Sequence, residues 1–172
     1  MFQDEARFGR IHTAKRCWAP AGMRPVVCAQ MVREYTYAYA AVSPHDGVLD
    51  SLILPFVNAA MMSLFLHEVA RRHAEEFIVM VLDGAGWHRS DELVVPENMR
   101  LVDLPPYSPE LNPTEHLWDE IREKWFPNLV FHTQDAVEDV VEDALLALEA
   151  DPIRVTSLTG FRWVVNIPLI AT

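Results

Sequence analysis

Apolar positions along the chain recur at spacings that shift between two and nearly four, and the shifts predict the elements. Residues 25–32 (Pro-Val-Val-Cys-Ala-Gln-Met-Val) and 35–42 (Tyr-Thr-Tyr-Ala-Tyr-Ala-Ala-Val) are rich in β-branched and aromatic side chains, with alternation clearest at Tyr35, Tyr37 and Tyr39, and predict two strands. Ser-Pro-His-Asp-Gly at 43–47 supplies turn residues, and the apolar run 48–54 predicts a third strand that completes a meander. Asn58 can cap a helix over 59–74, in which Met62, Phe65, Leu66, Val69 and His73 recur at helical spacing. Residues 77–82 (Phe-Ile-Val-Met-Val-Leu) form a short, continuous apolar run after that helix, the pattern of a strand buried on both faces, and the run stops at Asp83. A short strand at 99–104 leads into a proline-rich loop. A helix is predicted over 113–124, and Thr133 opens a longer one with Val137, Val140, Val141, Ala144, Leu145 and Leu148 on one face. The acids of that last helix (Asp135, Glu138, Asp139, Glu142, Asp143) fall mainly on its opposite, solvated side.

Strands first, then helices alternating with strands, predict a mixed α/β domain with helices packed on a central sheet. At 172 residues the chain has room for one such domain over 1–172, and half of its residues are hydrophobic, enough for a core and too many for a disordered chain. Cys17 and Cys28 form neither a disulfide framework nor a zinc-ligand spacing, which favours a reduced compartment. The charged opening MFQDEARFGR excludes a signal peptide there, and no stretch approaches the ~20 apolar residues of a membrane helix, so the expected location is cytoplasmic.

Charge changes the picture through its distribution. The net charge is −11, yet residues 1–33 carry Arg7, Arg10, Lys15, Arg16, Arg24 and Arg33 against only Asp4 and Glu5, while residues 134–151 carry seven acids and no Lys or Arg. An acidic whole argues against autonomous tight binding to DNA, because affinity for the phosphate backbone comes largely from cationic side chains displacing counterions. Any contact with nucleic acid is therefore local, or helped by metal ions or a further module.

Three acids stand where elements end: Asp4 near the start, Asp83 after the buried run, and Glu115 at the start of the helix after the proline loop. Parallel neighbouring strands ending at Asp4 and Asp83 would bring both carboxylates to the sheet edge where open α/β sheets bind ligands, and a helix end would add Glu115. Three converging carboxylates require a cation to stay ionised, and oxygen ligands select Mg²⁺ or Mn²⁺. Each acid has a plain structural alternative. Asp4 reads as a surface residue, Asp83 as the former of an Asp-Gly turn, and Glu115 as the N3 member of a helix start with Asn112 as cap and Pro113 at N1. Glu115, Trp118, Arg122 and Trp125 share one helix face, so a carboxylate beside that stripe needs a partner, either metal or Arg122. His67-Glu68 followed by His73 is not HExxH, which removes a zinc protease.

Phe-Gln-Asp-Glu-Ala-Arg-Phe-Gly (2–9), Val-Leu-Asp-Gly-Ala-Gly-Trp-His (81–88) and Leu-Pro-Pro-Tyr-Ser-Pro-Glu-Leu-Asn-Pro-Thr-Glu-His-Leu-Trp (104–118) resemble, in order, the catalytic domain of the mariner-like superfamily of DDE transposases, in its bacterial insertion-sequence branch. The resemblance implies a ribonuclease-H-like mixed sheet flanked by helices and a catalytic, metal-holding trio of Asp4, Asp83 and Glu115. It also implies Mg²⁺-dependent strand cleavage at transposon ends, with Mn²⁺ as a substitute, followed by strand transfer into target DNA. Arg7, Arg10, Lys15, Arg16, His88 and His116 are the candidate DNA contacts. The implied partners are transposon-end and target DNA, a second copy in a homodimer, and a DNA-binding module supplied by an upstream frame, with nucleoid association when DNA is bound. The helix-turn-helix modules of the family do not precede Asp4 in this sequence, and the first strand is expected to be clipped. The rival expectation is a catalytically silent fragment that pairs with full-length transposase as assembly partner or inhibitor.

Overall fold

The computed structural model describes residues 1–11 and 14–166. In chain order the elements are β1 (Phe2–Ile11), β2 (Met31–Val42), β3 (Leu49–Leu54), α1 (Ala59–Arg72), β4 (Ile78–Leu82), β5 (Met99–Asp103), α2 (Glu115–Lys124), α3 (Gln134–Glu149), α4 (Pro152–Thr159) and α5 (Arg162–Val165). The strands join in one sheet of order β3-β2-β1-β4-β5, antiparallel across β3, β2 and β1 and parallel across β1, β4 and β5.

Strand β2 shows how the sheet makes two cores. Ala38, Ala40 and Val42 face a cluster built with Leu117, Trp118 and Ile121 of α2 and Val137, Val141, Ala144, Leu145 and Leu148 of α3. Tyr39 and Ala41, one residue out of phase, face Met62, Phe65, Leu66 and Val69 of α1 together with Met80 and Leu82 of β4. The small alanines let helices approach the sheet closely, and both faces of β2 are dry over residues 38–42. Helix α1 starts with the Asn58 side chain accepting from the Met61 N–H, and α3 with Thr133 accepting from Ala136, the caps the sequence specifies. Asp139, Glu142 and Asp143 of α3 are exposed, as expected of a solvated face. Gly47, at φ +76° between β2 and β3, is required by space as well, since a Cβ there would meet the Pro152 carbonyl oxygen at 2.1 Å. Among the described residues no helix is long and apolar enough to cross a membrane.

The structure corrects three expectations. Residues 25–30 form no strand: β2 already has β1 and β3 on its two edges, Pro25 has no N–H to give, and Val26 is fully in solvent. The first strand does not end at Asp4. It runs ten residues, and Asp4 lies near its beginning rather than after its end. The run 77–82 is not buried on both faces either, since β4 alternates and leaves Val79 46% exposed where the helices of neither layer reach.

Candidate active site

Register decides where the acids meet. Phe2 of β1 pairs with Val81 of β4 in parallel, which puts Asp4 level with Asp83, the residue following the last of β4. Beyond that point β1 continues with β2 alone, and the space left beside it is the cleft. Its volume is about 430 Å³, and it is lined by Asp4, Asp83, Glu115, Asn112, the turn at 84–85 and the loop 104–109.

Two side chains clamp the start of α2 onto β1 and so bring Glu115 to Asp4. Asn112 Nδ2 donates to the Gln3 carbonyl at 2.9 Å, and Thr114 Oγ1 donates to the Phe2 carbonyl at 3.0 Å. Asn112 Oδ1 also accepts from the Thr114 N–H at 3.2 Å. The helix accordingly begins at Glu115 rather than two residues earlier, and Asn112 serves as a clamp to the sheet rather than as the cap. Replacing Asn112 by alanine is expected to lower stability by about 1–3 kcal/mol, because it leaves a buried carbonyl of β1 unpaired. Denaturant unfolding of the variant measures this, and an unchanged midpoint would show the clamp to be dispensable.

Asp4 sits in the apolar row Phe2-x-Asp4-x-Ala6-x-Phe8, facing α2. Trp118 Nε1 donates to its Oδ2 at 2.8 Å. Burial, and next the negative charge of Glu115, push the Asp4 carboxyl up to about 7 against that hydrogen bond. Glu115 makes no ion pair with Arg122, whose guanidinium lies 5.5 Å from the Phe8 ring. The residues fit a divalent cation by chemistry: three hard oxygen donors, one of them part-buried, with its carboxyl pushed up to about 7 by burial and by Glu115. Among the described residues no trio of His, Cys, Asp or Glu is close enough to grip an ion as it stands. Asp83, with its side chain 55% exposed, is the most open of the three.

The raised Asp4 value gives a signed pH dependence. Its folded pKa lies above the ordinary 3.8, so the folded chain holds a proton that the unfolded chain has released. This contribution to stability is complete below pH ~4 and lost as pH rises through about 7. A cation at the carboxylate displaces the proton. Mn²⁺ affinity is therefore expected to climb between pH 6 and 8, with proton release detected by calorimetry in buffers of different ionisation enthalpy. A pH-independent affinity would contradict the assignment of Asp4.

The remaining sequence candidates separate. His88 is buried rather than open to DNA: its Nε2 lies 3.0 Å from Glu5 Oε1 and its Nδ1 3.0 Å from both the carbonyl oxygen and Oδ1 of Asp83. Burial alone would lower the pKa of this ring, but the hydrogen bond to Glu5, the Glu5 charge and the Asp83 groups outweigh it and raise it. Trp87 donates to the same Glu5 oxygen at 3.4 Å and is likewise turned inward. His116 is exposed and packs on Phe161, with ring centroids 4.9 Å apart. Arg7, stacked 4.4 Å over Tyr35, joins Arg10, Lys15 and Arg122 around a second groove of about 360 Å³ floored by Phe8, Phe126 and Phe131. Arg10 is tied to the Phe131 carbonyl and to Glu34, and Arg16 is exposed outside both clefts. Sequence reasoning passed over Glu5 and Asn112 as a clamp; Tyr107, an aromatic able either to stack on bases or to pack, is fully exposed at the cleft rim with φ +58°. The Asn-x-Thr pair before Glu115 was the available signal for the clamp.

A mixed five-stranded sheet, antiparallel across β3, β2 and β1, parallel across β1, β4 and β5 and flanked by helices, is a ribonuclease-H-like fold. A model of the DDE superfamily endonucleases matches residues 1–138, and the chain belongs to that family. It is 35% identical over 130 residues to the uncharacterized protein y4pE/y4sA of Sinorhizobium fredii (strain NBRC 101917 / NGR234), covering 75% of this chain and 96% of that protein. Among solved structures the fold is similar to the Mos1 mariner paired-end complex with Mn (TM-score 0.65, 16% identity, 92% of this chain and 53% of that one). It is also similar to the Mos1 mariner transposase catalytic domain (TM-score 0.58, 12% identity, 92% and 78%). The chain spans about half the length of the Mos1 chains in complexes of this kind.

Proposed function

We propose that the cleft is a divalent-metal site for DNA strand cleavage and strand transfer at transposon ends, with Asp4, Asp83 and Glu115 as the groups that hold Mg²⁺ or Mn²⁺. The observation that carries the reading is the convergence of three carboxylates from three elements on one cleft, with Asp4 driven up to about 7 by burial and by Glu115. Membership of an endonuclease family and a fold shared with the Mos1 transposase support it. When bound, the cation supplies activation of the attacking oxygen and neutralises charge building on the scissile phosphate. The chain's own groups do the placing. Trp118 holds one oxygen of Asp4, the clamp of Asn112 and Thr114 fixes Glu115, and loop 104–109 walls the cleft so that a strand enters from one side. Water is the nucleophile for cleavage, and a DNA 3′ hydroxyl for transfer.

DNA reaches the cleft along the strand that bears Asp4. Arg7, Arg10 and Lys15, with Arg122, offer the backbone a basic groove on an otherwise acidic molecule, and Arg16 and His116 add exposed contacts nearby. The paired-end complexes of the Mos1 transposase support a reading with two copies, each acting on one transposon end. Nicking of supercoiled plasmid with Mn²⁺ tests the activity: cleavage that needs metal and is lost in Asp83→Asn supports it. A chain that neither cleaves nor takes up metal, while still dimerising, is the silent assembly partner instead.

A further inference from the structure

The buried pair Glu5 and His88 lies behind the cleft, outside the trio. Glu5 neighbours Asp4 in sequence but, by strand alternation, projects from the other face of β1, and its side chain is only 7% exposed. The His88 side chain is 1% exposed. A buried ion pair is poor value as a stabilising device, since apolar residues of the same volume generally do as well. Its contacts point to a different use. Nδ1 faces two acceptors, the carbonyl oxygen and Oδ1 of Asp83, both at 3.0 Å, so it must donate. Nε2 faces Glu5 Oε1, also at 3.0 Å. Asp83 Oδ1 accepts from the Ala85 N–H as well, at 3.0 Å. Oδ1 of an otherwise exposed carboxylate thus lies between the Ala85 N–H, which donates to it, and the His88 ring, whose Nδ1 is bonded to the carbonyl of the same residue, and no hydrogen bond to Oδ2 occurs among the described residues.

We propose that His88, anchored by Glu5, is a positioning residue for Asp83: it holds the Asp83 carbonyl and flanks Oδ1, and so presents Oδ2 as the oxygen available to a divalent cation. The proposal rests on the reading of Asp83 as a metal ligand. It explains why a His stands five residues after this Asp and why an acid follows Asp4: the two motifs meet through the sheet, and the second acid serves the first acid's partner. Positioning of this kind is worth about 10–100-fold in metal affinity or activity.

Two polar replacements of His88 separate positioning from packing. In His88→Asn the amide nitrogen stands where Nδ1 was, keeping the donor to Asp83 and losing Glu5; in His88→Gln it stands where Nε2 was, keeping Glu5 and losing Asp83. Calorimetric Mn²⁺ titration of the full chain without DNA, alongside metal-free thermal unfolding, is the measurement. His88→Gln is expected to bind Mn²⁺ about 10–100-fold more weakly, His88→Asn to recover most of that loss, and the two to melt at similar temperatures. Glu5→Leu, which leaves Nε2 without its anchor, is expected to fall between them. Equal Mn²⁺ affinity in wild type, His88→Gln and Glu5→Leu would overturn the proposal, and so would losses that follow melting temperature alone. Asp83→Asn in the same series distinguishes the two readings. If it binds Mn²⁺ like wild type, the metal assignment of the cleft fails; if it loses binding while His88→Gln keeps it, only the positioning role fails.

Discussion

Changing Asp83 to asparagine, Asp4 to asparagine or Glu115 to glutamine is expected to remove metal-dependent DNA nicking by at least about 10³-fold each. The size follows from the role. A divalent cation contributes several kcal/mol to a phosphoryl-transfer transition state, and each ~1.4 kcal/mol is a factor of ten. These substitutions barely alter volume, so the loss should come without loss of fold. For Asp4 the sign of the stability change is opposite to that of most buried substitutions. At pH 8 the buried Asp4 carboxyl, pushed up to about 7, is ionised at a cost in the metal-free chain, and asparagine removes that cost. Metal-free Asp4→Asn should therefore melt at or above wild type at pH 8, with the difference shrinking toward pH 5. Plasmid nicking and thermal scans at the two pH values check both halves. A nicking rate within a few-fold of wild type in any of the three variants would remove that residue from the site.

The second large effect belongs to Trp118, 1% exposed and the bulkiest fully buried side chain. Its indole packs edge-on to Phe8, with centroids 6.1 Å apart, while its N–H reaches Asp4. Trp118→Ala is expected to cost about 3–5 kcal/mol, a cavity-forming loss at the junction of α2 and β1. Trp118→Phe keeps most of the volume and removes only the N–H. It should cost less and raise the Asp4 pKa further, since the hydrogen bond from Trp118 favours the ionised carboxyl. The checks are chemical denaturation for alanine and, for phenylalanine, an upward displacement of the pH at which Mn²⁺ binds. A phenylalanine variant as unstable as alanine would show that Trp118 acts through its polar contact rather than its bulk.

What the sequence made legible follows from how local each signal was. Helices α1 and α3 were readable to within a residue or two, because capping by Asn58 and Thr133 and an apolar stripe at helical spacing act within one element. Strand β1 was read as ending at Asp4 because its core-facing row is interrupted there by that carboxylate. The trio itself was named from the order of three motifs, but its level arrangement depends on the Phe2–Val81 register, which has no local signature. The run 25–30 shows the reverse error: strand-like composition just ahead of β2, whose two edges are already taken by β1 and β3. His88 looked like a surface contact because its neighbours are polar, and only the packing of the 84–89 turn against Glu5 shows that it looks inward.

The central claim is that Asp4, Asp83 and Glu115 share divalent cations in one cleft. Anomalous diffraction from crystals soaked in Mn²⁺ at pH 8 addresses it directly. The account predicts a manganese peak between Asp4 and Asp83 or between Asp4 and Glu115, within coordination distance of their oxygens. Well-ordered crystals with all three carboxylates in view and manganese only elsewhere would contradict it.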